Sequence, residues 1–353
     1  MYVRNHTFTE KELTQIHDAS MDLLQNVGVA FNDDEALRIF KENGFKVDGK
    51  AVFFSEKNVR SAIESAPSRF KIIARNPGNS VSIGGENVAF APGYGAAFII
   101  TRDGKQRNAT MADYDTFCKL VQTSRILNIT GFLMATPSDV PAKTAYLDML
   151  YSNLTLCDKP LMGSPVSKVG AEACIDMASI VWGGREKLKE GPVTISLITP
   201  LSPFQYTAEM TGSIITFARY NQACIFGALL MAGTSAPLDI AGLLVQQNAE
   251  VLAGVTLTQL VRPGAPVIIG GTSAITDMRT GALSMGAPEV ARIAAATIQM
   301  AKFYNLPARS GGAITDAHFP NAQAGFESAL NLYVALQNGS NFILHAAGIL
   351  GTY

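Results

Sequence analysis

The feature that most constrains this chain is a change of rhythm near residue 88. From there on, short apolar runs alternate with longer segments of helical periodicity. The runs are VAFAP (88–92), ILNITGFLM (126–134), PLMGS (160–164), VTISLIT (193–199), ACIFGALL (223–230), PVIIGG (266–271), PARSGGAIT (307–315) and NFILHA (341–346). Strands separated by helices pair in parallel, because each crossover must return the chain to the same end of the sheet. Runs with little polar alternation are covered on both faces. Eight such units predict a (β/α)8 TIM-type barrel over residues 86–353. A doubly wound sheet is the alternative, but no Gly-rich dinucleotide fingerprint follows the first run. The last run leads into HAAGILGTY, and no helical pattern stands behind it. The expectation is a barrel lacking its last helix. Either a partner covers the bare flank or, preferably, the chain is a shortened form of a longer protein.

Residues 1–85 read as an N-terminal helical layer with a short hairpin. They are far more charged than the rest. Residues 1–75 hold 22 of the 57 Asp, Glu, Lys and Arg residues, and residues 193–353 hold 13. Thr9 with Glu12 matches a capping box before a stripe of Leu13, Ile16, Leu23 and Leu24. Asp33 or Asp34 caps a second helix that ends at Gly44, and Ser55 starts a third that Pro67 stops. VSIGG and NVAFAPG read as strands around a turn at Gly84 and Gly85.

Composition removes several classes. Hydrophobic residues make up 48% and charged residues 16%, which is too apolar for a disordered chain. A net charge of −1 gives no bulk attraction to nucleic acid or to an anionic membrane. No uninterrupted apolar stretch reads as a membrane span, and MYVRNHTFTEKEL lacks the apolar core of a signal peptide. Cys118, Cys157, Cys174 and Cys224 are scattered and read as buried free thiols of a cytoplasmic protein. The low charge of residues 193–353 also suggests a homo-oligomer or a docking face.

In a barrel of this kind the chemistry sits at the C-terminal ends of the strands. Those ends are mostly small, apolar or hydroxylic, including Pro92, Gly93, Tyr94, Met134, Ser164 and Pro165. No Lys lies in or at the end of a run, so a Schiff-base mechanism has no nucleophile. No His, Asp and Glu cluster marks a metal centre. The ionisable candidates are Asp316, His318 and His345. Asp316 serves equally well as a turn cap, and His318 as a loop histidine. His345 stands out by its place at the mouth. His6 and His17 belong to the outer layer, and Glu250 reads as a buried polar anchor. The pairs Gly270–Gly271 and Gly311–Gly312 end two runs. They suit either phosphate binding through N–H groups or a large planar cofactor resting on the mouth. Tyr94, Tyr206 and Phe319 are among the aromatic residues near run ends, and such rings can form a cage for a quaternary ammonium.

Several long stretches are similar to one family. They are FTEKELTQIHDASMDLLQNVGVAF, APGYGAAFIIT, LITPLSPFQYTAEM, NAEVLAGVTLTQL, PARSGGAITDAHFPNAQAGFESAL and NFILHAAGILG. Over essentially its whole length the chain resembles the trimethylamine methyltransferase family. The resemblance implies a (β/α)8 barrel that demethylates a methylamine or betaine and passes the methyl group to the Co(I) of a separate corrinoid protein. Some members carry pyrrolysine in the barrel. This sequence has none, so it resembles the branch that acts on quaternary amines, with glycine betaine the favoured substrate and dimethylglycine the product. On this reading the cobalamin or other corrinoid is brought by the cognate partner, and no protein-bound metal is expected. His345 would act at the cobalt face or on the substrate carboxylate. Tyr94, Tyr206 and Phe319 would form the cage, Arg309 would be a further carboxylate donor, and Gly270, Gly271, Gly311 and Gly312 would lie under the corrin. Two other readings remain open: a phosphate-binding isomerase or lyase, and a non-catalytic barrel subunit.

Overall fold

The computed structural model describes residues 7–163 and 166–351. The N-terminal layer forms as its capping signals require. Helix α1 (Glu10–Asn26) opens on a reciprocal box, in which the Thr9 side chain accepts from the Glu12 N–H and the Glu12 carboxylate accepts from the Thr9 N–H at 2.7 Å. Asp33 caps α2 (Asp34–Glu42), and Ser55 caps α3 (Glu56–Ser65). Strands Val29–Phe31, Ala51–Phe53 and Lys46–Asp48 pair antiparallel. Gln205–Tyr206, from the far part of the chain, adds in parallel beside Val29–Phe31. The layer is therefore stitched to the larger unit by backbone hydrogen bonds.

The larger unit is built on one curled, all-parallel sheet. Its strands are β1 (Ala89–Phe90), β2 (Leu161–Met162), β3 (Thr194–Ile198), β4 (Ala223–Ala228), β5 (Val267–Gly271), β6 (Ala308–Gly311) and β7 (Phe342–Leu344). In space they run β1–β7–β6–β5–β4–β3–β2. Helices cover the outside: α4 (Met111–Thr123), α5 (Ala145–Leu156), α6 (Lys168–Trp182), α7 (Arg185–Leu188), α8 (Ala208–Arg219), α9 (Ile240–Val261), α10 (Pro288–Phe303) and α11 (Ala322–Gln337).

Two sequence expectations change. The run 126–134 forms no regular strand. It crosses the gap between the two sheet edges, where the Asn128 N–H donates to Phe90 O at 2.9 Å and the Thr130 N–H to Pro160 O at 3.0 Å. Asn128 Oδ1 and Thr130 Oγ1 accept further backbone N–H groups on either side, and this side-chain competition replaces a ladder. Val81–Gly84 does not pair with β1 but with Arg69–Ile72, forming a hairpin. Ile72 and Ile83 of that hairpin join the inner cluster of Ala89, Ile129, Met162, Ile195, Ile225, Ile268 and Phe342. They close its lower end, where the Ile73 N–H donates to Pro192 O just ahead of β3.

Helix α9 has the length and apolarity to cross a membrane, yet 78% of that stretch is buried in the fold. It is apolar on every side because it has neighbours on every side, with α1, α2 and α3 outside and β4 and β5 beneath. Its buried polar groups are bonded. Asn248 Nδ2 donates to Ser20 Oγ and to the Tyr304 hydroxyl.

Candidate functional site

The strand ends bring His345 and Tyr94 together. β7 stops at Leu344, and His345 turns into the left-handed region at φ +62°. A non-glycine residue there is uncommon and strained, and such strain gathers at functional sites. The strain is held by neighbours. The His345 N–H donates to Pro92 O beyond β1, and its carbonyl accepts from the Ala313 N–H beyond β6, both at 3.0 Å. The Tyr94 N–H donates to His345 Nδ1 at 3.3 Å. An accepting Nδ1 places the ring proton on Nε2. Burial, together with the nearby Arg309 charge, pushes the imidazole down to about 3, so it is neutral under physiological conditions. Burial also raises the Tyr94 phenol, which stays protonated.

Arg309 lies deeper. It is 2% exposed and heads the largest fully buried side chains. Strand register pairs Arg309 with Phe342 on one side and Gly270 on the other, and Gly270 with Gly227. Phe342 faces the inner cluster, so the whole row faces inward. The guanidinium donates from Nη1 to Thr272 Oγ1 at 3.2 Å, and Nε has no partner. Burial lowers it to about 10, still charged at neutral pH.

The aromatic cage does not assemble. Tyr206 lies under the loop after β3, wholly buried, stacked on Phe31 with centroids 5.1 Å apart, and it donates its hydroxyl to Glu250 O at 2.9 Å. It joins the outer layer to α9. Phe319 is 53% exposed on the loop before α11. Only Tyr94 of the three is at the mouth. Nearness in sequence to a strand end does not say which way a loop side chain turns.

The glycine pairs meet protein rather than open space. A Cβ on Gly270 would fall 2.0 Å from Arg309 O, and one on Gly271 would fall 2.5 Å from Gln247 Oε1. On Gly311 it would strike Ile314 and Thr272, and on Gly312 it would strike Ile343. Neighbouring strands, α9 and the adjoining loops fill the space at all four, which corrects the expectation that they clear room for a corrin or cradle a phosphate. Gly227, which the sequence reading passed over, is different. It faces the interior, where a Cβ would strike Leu197 Cδ1 at 2.8 Å and touch the Arg309 guanidinium at 3.7 Å.

The remaining candidates are structural. Asp316 accepts the Met285 and Gly286 N–H groups at 2.8 and 2.9 Å and pins the neighbouring loop. His318 is exposed. His17 contacts the Tyr304 hydroxyl within the outer layer. Glu250 is fully buried, accepts from the Ser202 hydroxyl, the Phe204 N–H and Gln246, and is raised by burial. His6, Ser164, Pro165 and Tyr353 lie outside the described residues. Among the described residues no group of three or more His, Cys, Asp or Glu side chains is placed to hold a metal ion.

Comparison with known proteins gives the family and the fold. The family model described as trimethylamine methyltransferase (MTTB) matches residues 2–352. The glycine betaine methyltransferase of Desulfitobacterium hafniense (strain Y51) is 45% identical over 342 residues, 97% of this chain and 71% of that protein. The proline betaine:corrinoid methyltransferase of Eubacterium limosum is 32% identical, covering 100% of this chain and 75% of that protein. In fold, the crystal structure of the hydroxylamine MtmB complex superposes with a TM-score of 0.65 at 13% identity, over 97% of this chain and 71% of that one. With a family match along nearly its full length and relatives at 45% and 32% identity, the chain belongs to the trimethylamine methyltransferase family.

Proposed function

We propose that this chain moves a methyl group from a quaternary amine, glycine betaine, to the corrinoid of a separate protein and releases dimethylglycine. The observation that carries the chemistry is that His345 and Tyr94 at the mouth and Arg309 in the upper interior supply no useful acid at neutral pH. Breaking a C–N bond to a neutral amine needs a proton on the leaving nitrogen. A quaternary nitrogen needs none, since the bonding pair returns to nitrogen and the amine departs neutral. The 45% identity to a glycine betaine methyltransferase supports the substrate, and the name of the E. limosum relative supports the corrinoid acceptor.

The corrinoid, when docked, supplies a Co(I) nucleophile for the methyl carbon. This chain's part is to place the substrate and exclude water. His345, locked as the Nε2–H tautomer, offers a donor at the mouth. Tyr94 gives one aromatic face for the ammonium. Exposed Leu201, Leu229, Leu238 and Met278, on the loops after β3, β4 and β5, fit the apolar face of a macrocycle. The reading includes a closed (β/α)8-type barrel in which segment 128–130 takes the place of an eighth strand, supported by Ile129 in the inner cluster. It also includes a cytoplasmic homo-oligomer, where the four buried thiols would stay reduced.

The test is a methyl-transfer assay with the reduced corrinoid protein, followed by corrinoid absorbance and product analysis. Glycine betaine should give dimethylglycine, and trimethylamine should give nothing. His345→Asn, which tolerates the left-handed backbone, should slow the transfer about 100-fold by loss of positioning. Turnover of trimethylamine without turnover of betaine would reject the substrate assignment.

A further inference from the structure

The segment that closes the gap between β1 and β2 is held by side chains from end to end. Where it leaves α4, the buried Lys159 ammonium donates to the Val121, Ser124 and Leu127 carbonyls at 2.6, 2.7 and 2.7 Å. At the mouth end the fixture is Tyr114 of α4 with Asn153 of α5, both buried. Burial raises the Tyr114 phenol, so its single proton is there to be donated. It goes to Phe132 O at 2.6 Å, and the same oxygen accepts from Asn153 Nδ2, also at 2.6 Å. Asn153 Nδ2 reaches Gly131 O as well, at 3.2 Å. The Cys118 thiol donates to Asn153 Oδ1 at 3.7 Å and fixes which way the amide faces. In a regular strand successive carbonyls point to opposite sides. Here those of Gly131 and Phe132 both face the helix layer, and the chain bends at this point.

The bend reaches the candidate site by two routes. The next carbonyl, Leu133 O, accepts from the Gly95 N–H at 2.7 Å. Gly95 follows Tyr94, whose N–H is the donor to His345 Nδ1. Gly131 also lies against Pro92, where a Cβ would fall 2.7 Å from Pro92 Cγ, and Pro92 O accepts the His345 N–H. On the other side Phe132 packs on Gly163 beyond β2, where a Cβ would strike it. The bend is thus wedged between the ends of β1 and β2, and it cannot shift without moving the 92–95 loop. The bond to Nδ1 is long, at 3.3 Å, and its donor is a loop N–H, so it lasts only while the loop is held.

We infer that Tyr114 and Asn153 are positioning residues for His345, acting through the Gly131–Leu133 carbonyls and the 92–95 loop to keep the Tyr94 N–H on Nδ1. This rests on the methyl-transfer reading, in which His345 offers its Nε2–H at the mouth, and adds to it what holds that ring in one orientation. Without the clamp the loop relaxes, Nδ1 loses its donor and the ring is free to turn. The closing segment itself stays in place, because Lys159, Asn128 and Thr130 hold it independently.

Nuclear magnetic resonance of protein carrying 15N-labelled histidine tests this without substrate or corrinoid. The His345 ring signals are identified by their loss in His345→Asn. The wild-type protein should give one set, with Nε2 protonated and Nδ1 accepting a hydrogen bond. Tyr114→Phe and Asn153→Leu should each shift or split the Nδ1 signal. Gln222→Leu is the control. Gln222 is buried at the opposite end of the sheet, where its Oε1 accepts the Val193 and Thr194 N–H groups, so its loss weakens the fold away from the mouth. It should leave the His345 signals as in the wild type. In the methyl-transfer assay with glycine betaine, Tyr114→Phe should lower kcat about 10-fold with KM little changed, and Gln222→Leu should lower neither. Wild-type His345 signals in both clamp variants, or the same disturbance in Gln222→Leu, overturn the inference. Altered signals with unaltered kcat make the clamp purely structural and overturn it too. If the signals respond as expected but the wild-type protein transfers no methyl group, the clamp stands and the methyl-transfer reading fails. If transfer proceeds and the signals do not respond, the reverse holds.

Discussion

His345 shows how much a single side chain can report. Its ring is held neutral by burial and by Arg309, with its titration moved down to about 3. In the unfolded chain the same ring takes up a proton near the ordinary value of about 6.5. Between those two values the unfolded state binds more protons than the folded one, so acid favours unfolding. Stability should be full above about pH 6.5 and should fall as the pH drops towards 3. His17, also lowered by burial, works in the same direction. Melting curves between pH 4 and 7 should show a shallower acid loss for His345→Asn than for the wild-type protein. Its place at the end of the final run made His345 legible in the sequence. The depth of Arg309 was not, because an arginine near the start of an apolar run reads as a structural residue. Only pairing with Phe342 and Gly270 shows that it points inward. Tyr206 failed as a candidate for the complementary reason: the same position relative to a strand end turned it towards Phe31 and the outer layer.

At the scale of elements, loops are placed by buried side-chain acceptors. Glu250 on α9 holds the turn with two hydrogen bonds, from the Ser202 hydroxyl and the Phe204 N–H, and accepts a third from Gln246 on its own helix. Glu250→Ala should therefore destabilise the protein by about 2–4 kcal/mol, since it leaves buried donors unmet as well as a void. Glu250→Gln should cost about half that or less, because an amide oxygen still accepts and burial already favours an uncharged group. Chemical denaturation of the two variants side by side checks the ranking. Helices were the more legible elements, since their caps are local: Thr9, Asp33 and Ser55 each perform the role their spacing implies. Strand edges were less so. The run 126–134 has the composition of a strand, but Asn128 and Thr130 satisfy the adjoining backbone through their side chains instead. The hairpin partner of 81–84 was misassigned because a turn at Gly84–Gly85 says nothing of pairing with residues 69–72.

At the scale of the whole molecule, the N-terminal layer and the larger unit interlock. Gln205–Tyr206 completes the small sheet of the N-terminal layer, and α9 is packed from both directions. Calorimetry should accordingly show a single unfolding transition, with equal calorimetric and van't Hoff enthalpies. A separate early transition of residues 7–65 would contradict it. The parallel arrangement was readable from the alternation of strands and helices. The shared helix was not, because apolar residues on every side of it leave the identity of its neighbours ambiguous. That ambiguity has a consequence during synthesis. Newly made and alone, Ile240–Val261 would leave a long, largely apolar surface uncovered. Helices α1 to α3, which form its outer cover, leave the ribosome well before it does, so half of its shelter is ready when it emerges. A circularly permuted chain that made α9 first would lose that protection, and would be the more prone to aggregation for it.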